Sequence, residues 1–265
     1  MYDYFENNAL PKKSFLIAIV AIFLIVIILY MVMSVMAPSR KMAELKKQFI
    51  SAGTDKKQPD NRIYTDSAYL ALLKDKNFYQ ARVAMAQTDS VYLTITLPDS
   101  LINLEISGVV VHSSRMTSIS TSKMLKKGND FVISSLLGSP MRIVKDFATI
   151  PKEPIMVKIA PKDTSEYKPD ILPDTSDFEP VSFILITDAG VDIYIYQEET
   201  GKGDRFKLFT FDLHNRLRNF GRSAASVIRF RIPEYHPRIM IRLPKAEAKA
   251  IYRAIPVNGQ ISVYR

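Results

Sequence analysis

The chain has no cysteine in its 265 residues. That excludes disulfides, thiolate nucleophiles and cysteine-held zinc. It is compatible with an oxidising compartment without demonstrating one. Histidine is scarce, at His112, His214 and His236. No two of them stand one helical turn apart, and none has a carboxylate pair at ligand spacing, so no metal site is expected. The GxxxxGK[ST] frame that cradles phosphate is missing; Gly201-Lys202-Gly203-Asp204 reads as a turn on a hairpin edge. A Ser-His-Asp triad needs no sequence adjacency, but no nucleophile elbow points to one. The expectation is a protein that is not an enzyme and holds no cofactor.

Charge is lacking in one place above all. Phe15 to Met36 is a run of 22 residues without a single charged side chain. As a helix it spans about 33 Å, enough to cross a bilayer core of about 30 Å. A secretory signal has a shorter apolar core, and the nearest cleavage-like site, Val35-Met36-Ala37, is followed by Pro38. The run therefore reads as an uncleaved anchor in the lipid bilayer. Lys12 and Lys13 precede it; Arg40, Lys41, Lys46 and Lys47 follow it. Counted alone, these cations favour a cytoplasmic C-terminal side, but long domains translocate largely regardless of flanking charge. The expected location is a single pass of the inner membrane with the C-terminal body in the periplasm.

The expected fold class is mainly β with some α, arranged as a transmembrane helix, a helical stalk and two tandem small β-rich domains. A tail (1–14) leads into the membrane helix (15–37) and a helical stalk or linker (38–89). In the stalk, Met42, Leu45 and Phe49 fall at 3-4 spacing, a short seam for self-association or for packing on lipid headgroups. Asp66 or Ser67 caps a second helix reaching to about Gln87, with a break near Asn77. From Ser90 the apolar period becomes two, and Val91 to Leu97 is a strand followed by a Pro98-Asp99-Ser100 turn. Leu101 to Val111 and Phe131 to Ile159 add further strands, completing a β-rich domain over 90–161. Residues 162–179 form an acidic, proline-rich linker. The second β-rich domain (180–265) opens with a hairpin, Ser182 to Thr187 and Val191 to Tyr196, around Asp188-Ala189-Gly190.

The two β regions echo each other in order, at an offset of 82–84 residues. Leu137-Gly138-Ser139 answers Phe220-Gly221-Arg222, Ile150-Pro151 answers Ile232-Pro233, and Ile155 to Ile159 answers Ile239 to Leu243. An internal duplication of one small domain is expected.

The net charge of +9 lies outside the anchor. It concentrates between Arg216 and Arg253, where ten Lys and Arg meet only Glu234 and Glu247. If Ile228 to Ile232 and Arg238 to Leu243 pair as a hairpin, strand alternation turns Ile228, Phe230, Ile232, Ile239, Ile241 and Leu243 inward. Arg229, Arg231, Arg238 and Arg242 then share an open face suited to acidic protein, phosphate or the carboxylates of peptidoglycan. A solvated sheet face has the same pattern. No basic motif with interleaved aromatics supports nucleic acid as a partner.

Two resemblances bear on function. The plan of short tail, single span, linker helix and tandem β units resembles the single-span periplasmic scaffold subunits of Bacteroidetes trans-envelope secretion machines, type VI or type IX. It implies homo- or hetero-oligomerisation with other envelope-complex proteins. The tail from Ile241 to Gly259 looks like the segment closing the L,D-transpeptidase domain, which has His-Gly-Cys-(Ile/Val)-Arg just before its helix. Laying Arg242 on the family arginine puts Met240 at the nucleophile and Arg238, not His236, at the histidine. A thioether forms no thiolate, so this likeness implies a dead enzyme that binds peptidoglycan.

Overall fold

The computed structural model describes residues 12–51, 66–152, 179–199, 201 and 203–265. Among them are six helices and nine strands, mainly β with some α. The expected linker 162–179 lies almost wholly outside the described residues, as does Ile155 to Ile159.

The first helix, α1 (Lys12–Ser51), contains the charge-free run and continues through Pro38. It is the one described helix long and apolar enough to cross a membrane. The chain forms two compact units. One joins α1 up to Ala43 with Asn215–Tyr235; the other holds Glu44–His214 and His236–Arg265, including every strand.

In the larger unit, α2 (Ser67–Ala86) starts at Asp66, whose carboxylate accepts from Ala68 N at 3.0 Å. The helix runs unbroken past Asn77. It was expected in a stalk, but it packs on the β body. Phe78, Ala81 and Met85 recur at i, i+3, i+7 and are buried, so one stripe of α2 belongs to the core.

The strands are β1 (Tyr92–Thr96), β2 (Leu101–Ile106), β3 (Val109–Arg115), β4 (Ser118–Thr121), β5 (Met141–Ala148), β6 (Ser182–Thr187), β7 (Asp192–Gln197), β8 (Arg238–Leu243) and β9 (Gln260–Tyr264). Between them lie α3 (Lys123–Lys127), α4 (Asp130–Leu137), α5 (Asp204–Ile228) and α6 (Lys245–Ala254). All nine strands join one sheet in the order β3-β2-β1-β9-β5-β6-β7-β8-β4.

That order corrects the expectation of two tandem domains. The last strand, β9, sits between β1 (parallel) and β5 (antiparallel), and β4 pairs with β8. Strands from both expected domains thus share one ladder, and neither can satisfy its backbone alone. The strand pairs do not follow the expected repeat either. β4 pairs antiparallel with β8, and the strands that follow them, β5 after α3 and α4 and β9 after α6, also pair antiparallel. Ser118 and Arg238, and Met141 and Gln260, begin these strands at offsets of 120 and 119 residues rather than 82–84. At the expected offset Gly138 ends α4 whereas Gly221 lies inside α5.

The two ends of the sheet meet. β3 and β4 stand at opposite ends of the order, yet only Met116 and Thr117 separate Arg115 from Ser118, at most about 11 Å of chain. Met116 N donates to Ser100 O at 2.8 Å, beside β2, and Thr117 N to Arg242 O at 3.0 Å, in β8. The sheet therefore curls so that its two end strands, β3 and β4, follow one another around a single corner. Met116 is buried at that corner. α6 covers one inner stretch of the sheet through Ala248, Ile251 and Tyr252, whose ring lies 4.9 Å from that of Phe183.

Candidate functional site

The arginine face was expected from strand alternation, and in β8 the alternation holds. Ile239, Ile241 and Leu243 are fully buried; Arg238, Met240 and Arg242 are exposed. The expected hairpin partner is not there. β8 lies between β7 in parallel (Tyr194 opposite Met240, Tyr196 opposite Arg242) and β4 in antiparallel (Ser118 opposite Arg242).

Residues 228–232 are not a strand because α5 runs on to Ile228 and ends in a Schellman motif. Phe230 takes a left-handed φ of 53°, Arg231 N donates to Ser226 O at 2.9 Å, and Phe230 N to Val227 O at 2.9 Å. Satisfying the last carbonyls of the helix uses the backbone groups that a hairpin needs. Arg229 and Arg231 are exposed at this cap in one unit, whereas Arg238 and Arg242 belong to the other. The four arginines do not form the expected ladder.

Two arginines and two tyrosines remain on the β7–β8 face. The Arg238 guanidinium carbon stands 5.8 Å from the Tyr194 ring centroid, and the Tyr194 and Tyr196 rings stack at 6.3 Å. Tyr196 donates its hydroxyl to Asp212 at 3.0 Å, which ties this face to the N-terminal half of α5. At the start of the strands His236 Nδ1 lies 3.0 Å from Asp192 Oδ1. Arg238 and Arg242 are about 13 Å apart along the strand, a spacing suited to an extended anionic surface more than to one carboxylate. Met240 points outward between them.

The self-association seam is partly used by the chain itself. Leu45 is buried, at 3% exposure, and Met42 and Phe49 are half-buried. What covers Leu45 removes the middle of the expected seam from the surface.

A second surface, with no counterpart among the expected site residues, is the β3 edge. Ile106 and Val109 pair across a two-residue turn, Ser107-Gly108, both with positive φ (48° and 85°), which matches the twist of a tight hairpin. Val109, Val110 and Val111 then follow, 64%, 45% and 57% exposed, on a strand whose one strand partner among the described residues is β2. Three consecutive valines cover neither face of the sheet; that run after a Ser-Gly turn was the available signal.

Three tyrosines hold their protons more tightly than usual. Burial, then the hydrogen bond to Asp146 at 3.0 Å, pushes Tyr252 up strongly. The bond to Asp75 at 2.6 Å, then burial, pushes Tyr264 up to about 12. Burial and the neighbouring Glu105 carboxylate raise Tyr92. All three hydroxyls act as structural ties, Tyr252 to Asp146, Tyr264 to Asp75 and Tyr92 to the Gly108 N–H. Among the described residues no group of three or more His, Asp or Glu side chains is placed to hold a metal ion. No protein-family description, no curated protein and no solved structure matches this chain.

Proposed function

We propose that the chain is a non-catalytic, membrane-anchored scaffold subunit of a secretion-type complex spanning the cell envelope. On this reading α1 crosses the inner membrane once, the β body stands in the periplasm, and its surfaces bind other subunits of the complex. The β3 edge carries the proposal. An exposed apolar edge strand is a liability in a free protein, because its unpaired backbone templates strand addition. Such an edge is also how a sheet adds a strand from a partner. The charge-free run of α1 supports the anchor, and the nine-stranded sheet stands behind the edge.

The test is purification of the full chain from membranes in mild detergent. The expected result is a complex of fixed stoichiometry that Val110→Lys dissociates while the variant still folds. A wild-type chain that runs as a lone monomer, or a complex indifferent to Val110→Lys, refutes the edge as the partner site.

The exposed pair Arg238 and Arg242 favours a second reading, a peptidoglycan-binding protein with a dead transpeptidase-like domain. Retention on purified sacculi, lost when both arginines become Ser, would establish it. Equal retention of the variant would reject it.

A further inference from the structure

Helix α2 is apolar on two sides, and the body uses one of them. Phe78, Ala81 and Met85 are buried on the inner side. On the outer side Tyr69, Leu72, Lys76, Tyr79, Val83 and Ala86 recur at 3-4-3-4-3 spacing, the seam of a coiled coil. Tyr69, Leu72, Tyr79 and Val83 are 36%, 70%, 59% and 61% exposed. Lys76, the one charge in the seam, is exposed as well, and Ala86 is half-buried. The whole of α2 lies in the larger unit. Its inner side already holds it as a helix, so a partner on the outer side does not have to order it.

We propose that the outer side of α2 is a contact between two copies of this chain, packed antiparallel about a two-fold axis. The seam is complementary to itself in that direction. With the axis passing between Asn77 and Phe78, Tyr69 lies opposite the partner's Ala86, Leu72 opposite the partner's Val83 and Lys76 opposite the partner's Tyr79. The outermost layers set a large side chain against a small one. In the central layers each ammonium meets a tyrosine ring, a cation–π pair made twice. Parallel packing instead sets Lys76 against Lys76, like charge against like. A membrane-surface helix keeps its lysines on the polar face, whereas Lys76 stands in mid-stripe. The seam is about 26 Å long, at the small end of specific interfaces, so the pair is reversible and a covalent trap is the way to count it.

This pairing gives the proposed scaffold a means of self-association, on a surface separate from the β3 edge. The chain has no cysteine, so each introduced thiol is the one label it carries. Full-length Leu72→Cys and Val83→Cys proteins are taken singly and mixed, reconstituted in phosphatidylcholine vesicles and oxidised with copper phenanthroline. The mixed sample is expected to give a disulfide dimer at least about fivefold above either protein alone, because like positions lie roughly 16 Å apart along the helices. Lys76→Glu in both proteins is expected to cut that yield at least about threefold, and Lys76→Arg to keep it. Equal yields in single and mixed samples mean parallel packing or random collision and overturn the proposal. No dimer in any sample overturns it too and leaves the seam to a different protein. A yield indifferent to Lys76→Glu overturns the assigned register. Val110→Lys in both proteins is expected to leave the yield unchanged, so failure of the edge reading and failure of this one are read apart. A yield lost with Val110→Lys places the contact at β3 and overturns the α2 pair.

Discussion

Arg82 and Glu105 join α2 to β2 through two contacts on one oxygen: Nε at 3.1 Å and Nη2 at 3.0 Å from Oε2. The Glu105 side chain is 1% exposed and its other oxygen accepts from the Thr94 hydroxyl at 2.6 Å. Arg82 keeps 29% exposure, so the two ends of the bridge are unequal. Arg82→Ala strands a buried carboxylate and is expected to cost about 3 kcal/mol. For a body of this size that lowers Tm by about 6–12 °C. Glu105→Gln leaves a guanidinium that water can reach and keeps an amide for Thr94, so its loss should be nearer 1–2 kcal/mol. Thermal unfolding of the full chain in detergent micelles checks the order. Equal losses would contradict the asymmetry.

Gly138 ends α4 where α2 crosses it. A Cβ there would stand 2.7 Å from Ser134 O and closer still to Asn77 Cβ. Neither neighbour is the tip of a flexible chain. Gly138→Ala is therefore expected to lower stability by about 1–3 kcal/mol, although alanine normally favours a helix. Gly221→Ala, in the exposed part of α5 with nothing within 4 Å, is the control and should be neutral or stabilising. Denaturant midpoints of the two variants decide the point.

Alkaline pH should weaken the body. Tyr264 is raised to about 12, chiefly by its bond to Asp75, against an ordinary value of 10.0. The folded state keeps this proton where the unfolded chain releases it. The stabilisation is thus complete below pH 10 and is lost as pH rises from about 10 to about 12. Tyr92 and Tyr252, also raised, add losses of the same sign. Asp75→Asn removes the main cause at Tyr264. Tyrosinate absorbance should then rise at lower pH in the variant, and an unchanged titration would rule the Asp75 bond out as the cause.

Orientation is measurable for the same reason that labelling is simple. Asp99 is exposed in the turn between β1 and β2. Asp99→Cys in this cysteine-free chain offers one target to an impermeant thiol reagent. The periplasmic reading expects labelling once the outer membrane is permeabilised. Labelling only after the inner membrane is broken places the body in the cytoplasm, as the cations from Arg40 to Lys47 would favour.

Local features were legible in the sequence because their causes are local. An uncharged run longer than a bilayer core is apolar whatever surrounds it, so α1 was readable from Phe15 to Met36. The Asp66 cap, the hairpin of β6 and β7 and the inward Ile239, Ile241 and Leu243 each depend on a few neighbouring residues. The same periodicity is present in α5, at Phe206, Phe209, Leu213, Leu217 and Phe220, set among segments of β character. Even when read, spacing cannot say which side of a helix meets the protein. That depends on Tyr196 and on whatever covers Asn215. Strand partners were out of reach for a related reason. Apolar strands are interchangeable in sequence, and only the folded chain decides that β9 enters between β1 and β5 or that β4 pairs with β8. The sequence by itself determined a membrane-grade helix followed by a mainly β body. Tertiary structure decided that all nine strands join one sheet and that the apolar stripe of α5 stays exposed, because each of these turns on contacts between residues far apart in the chain.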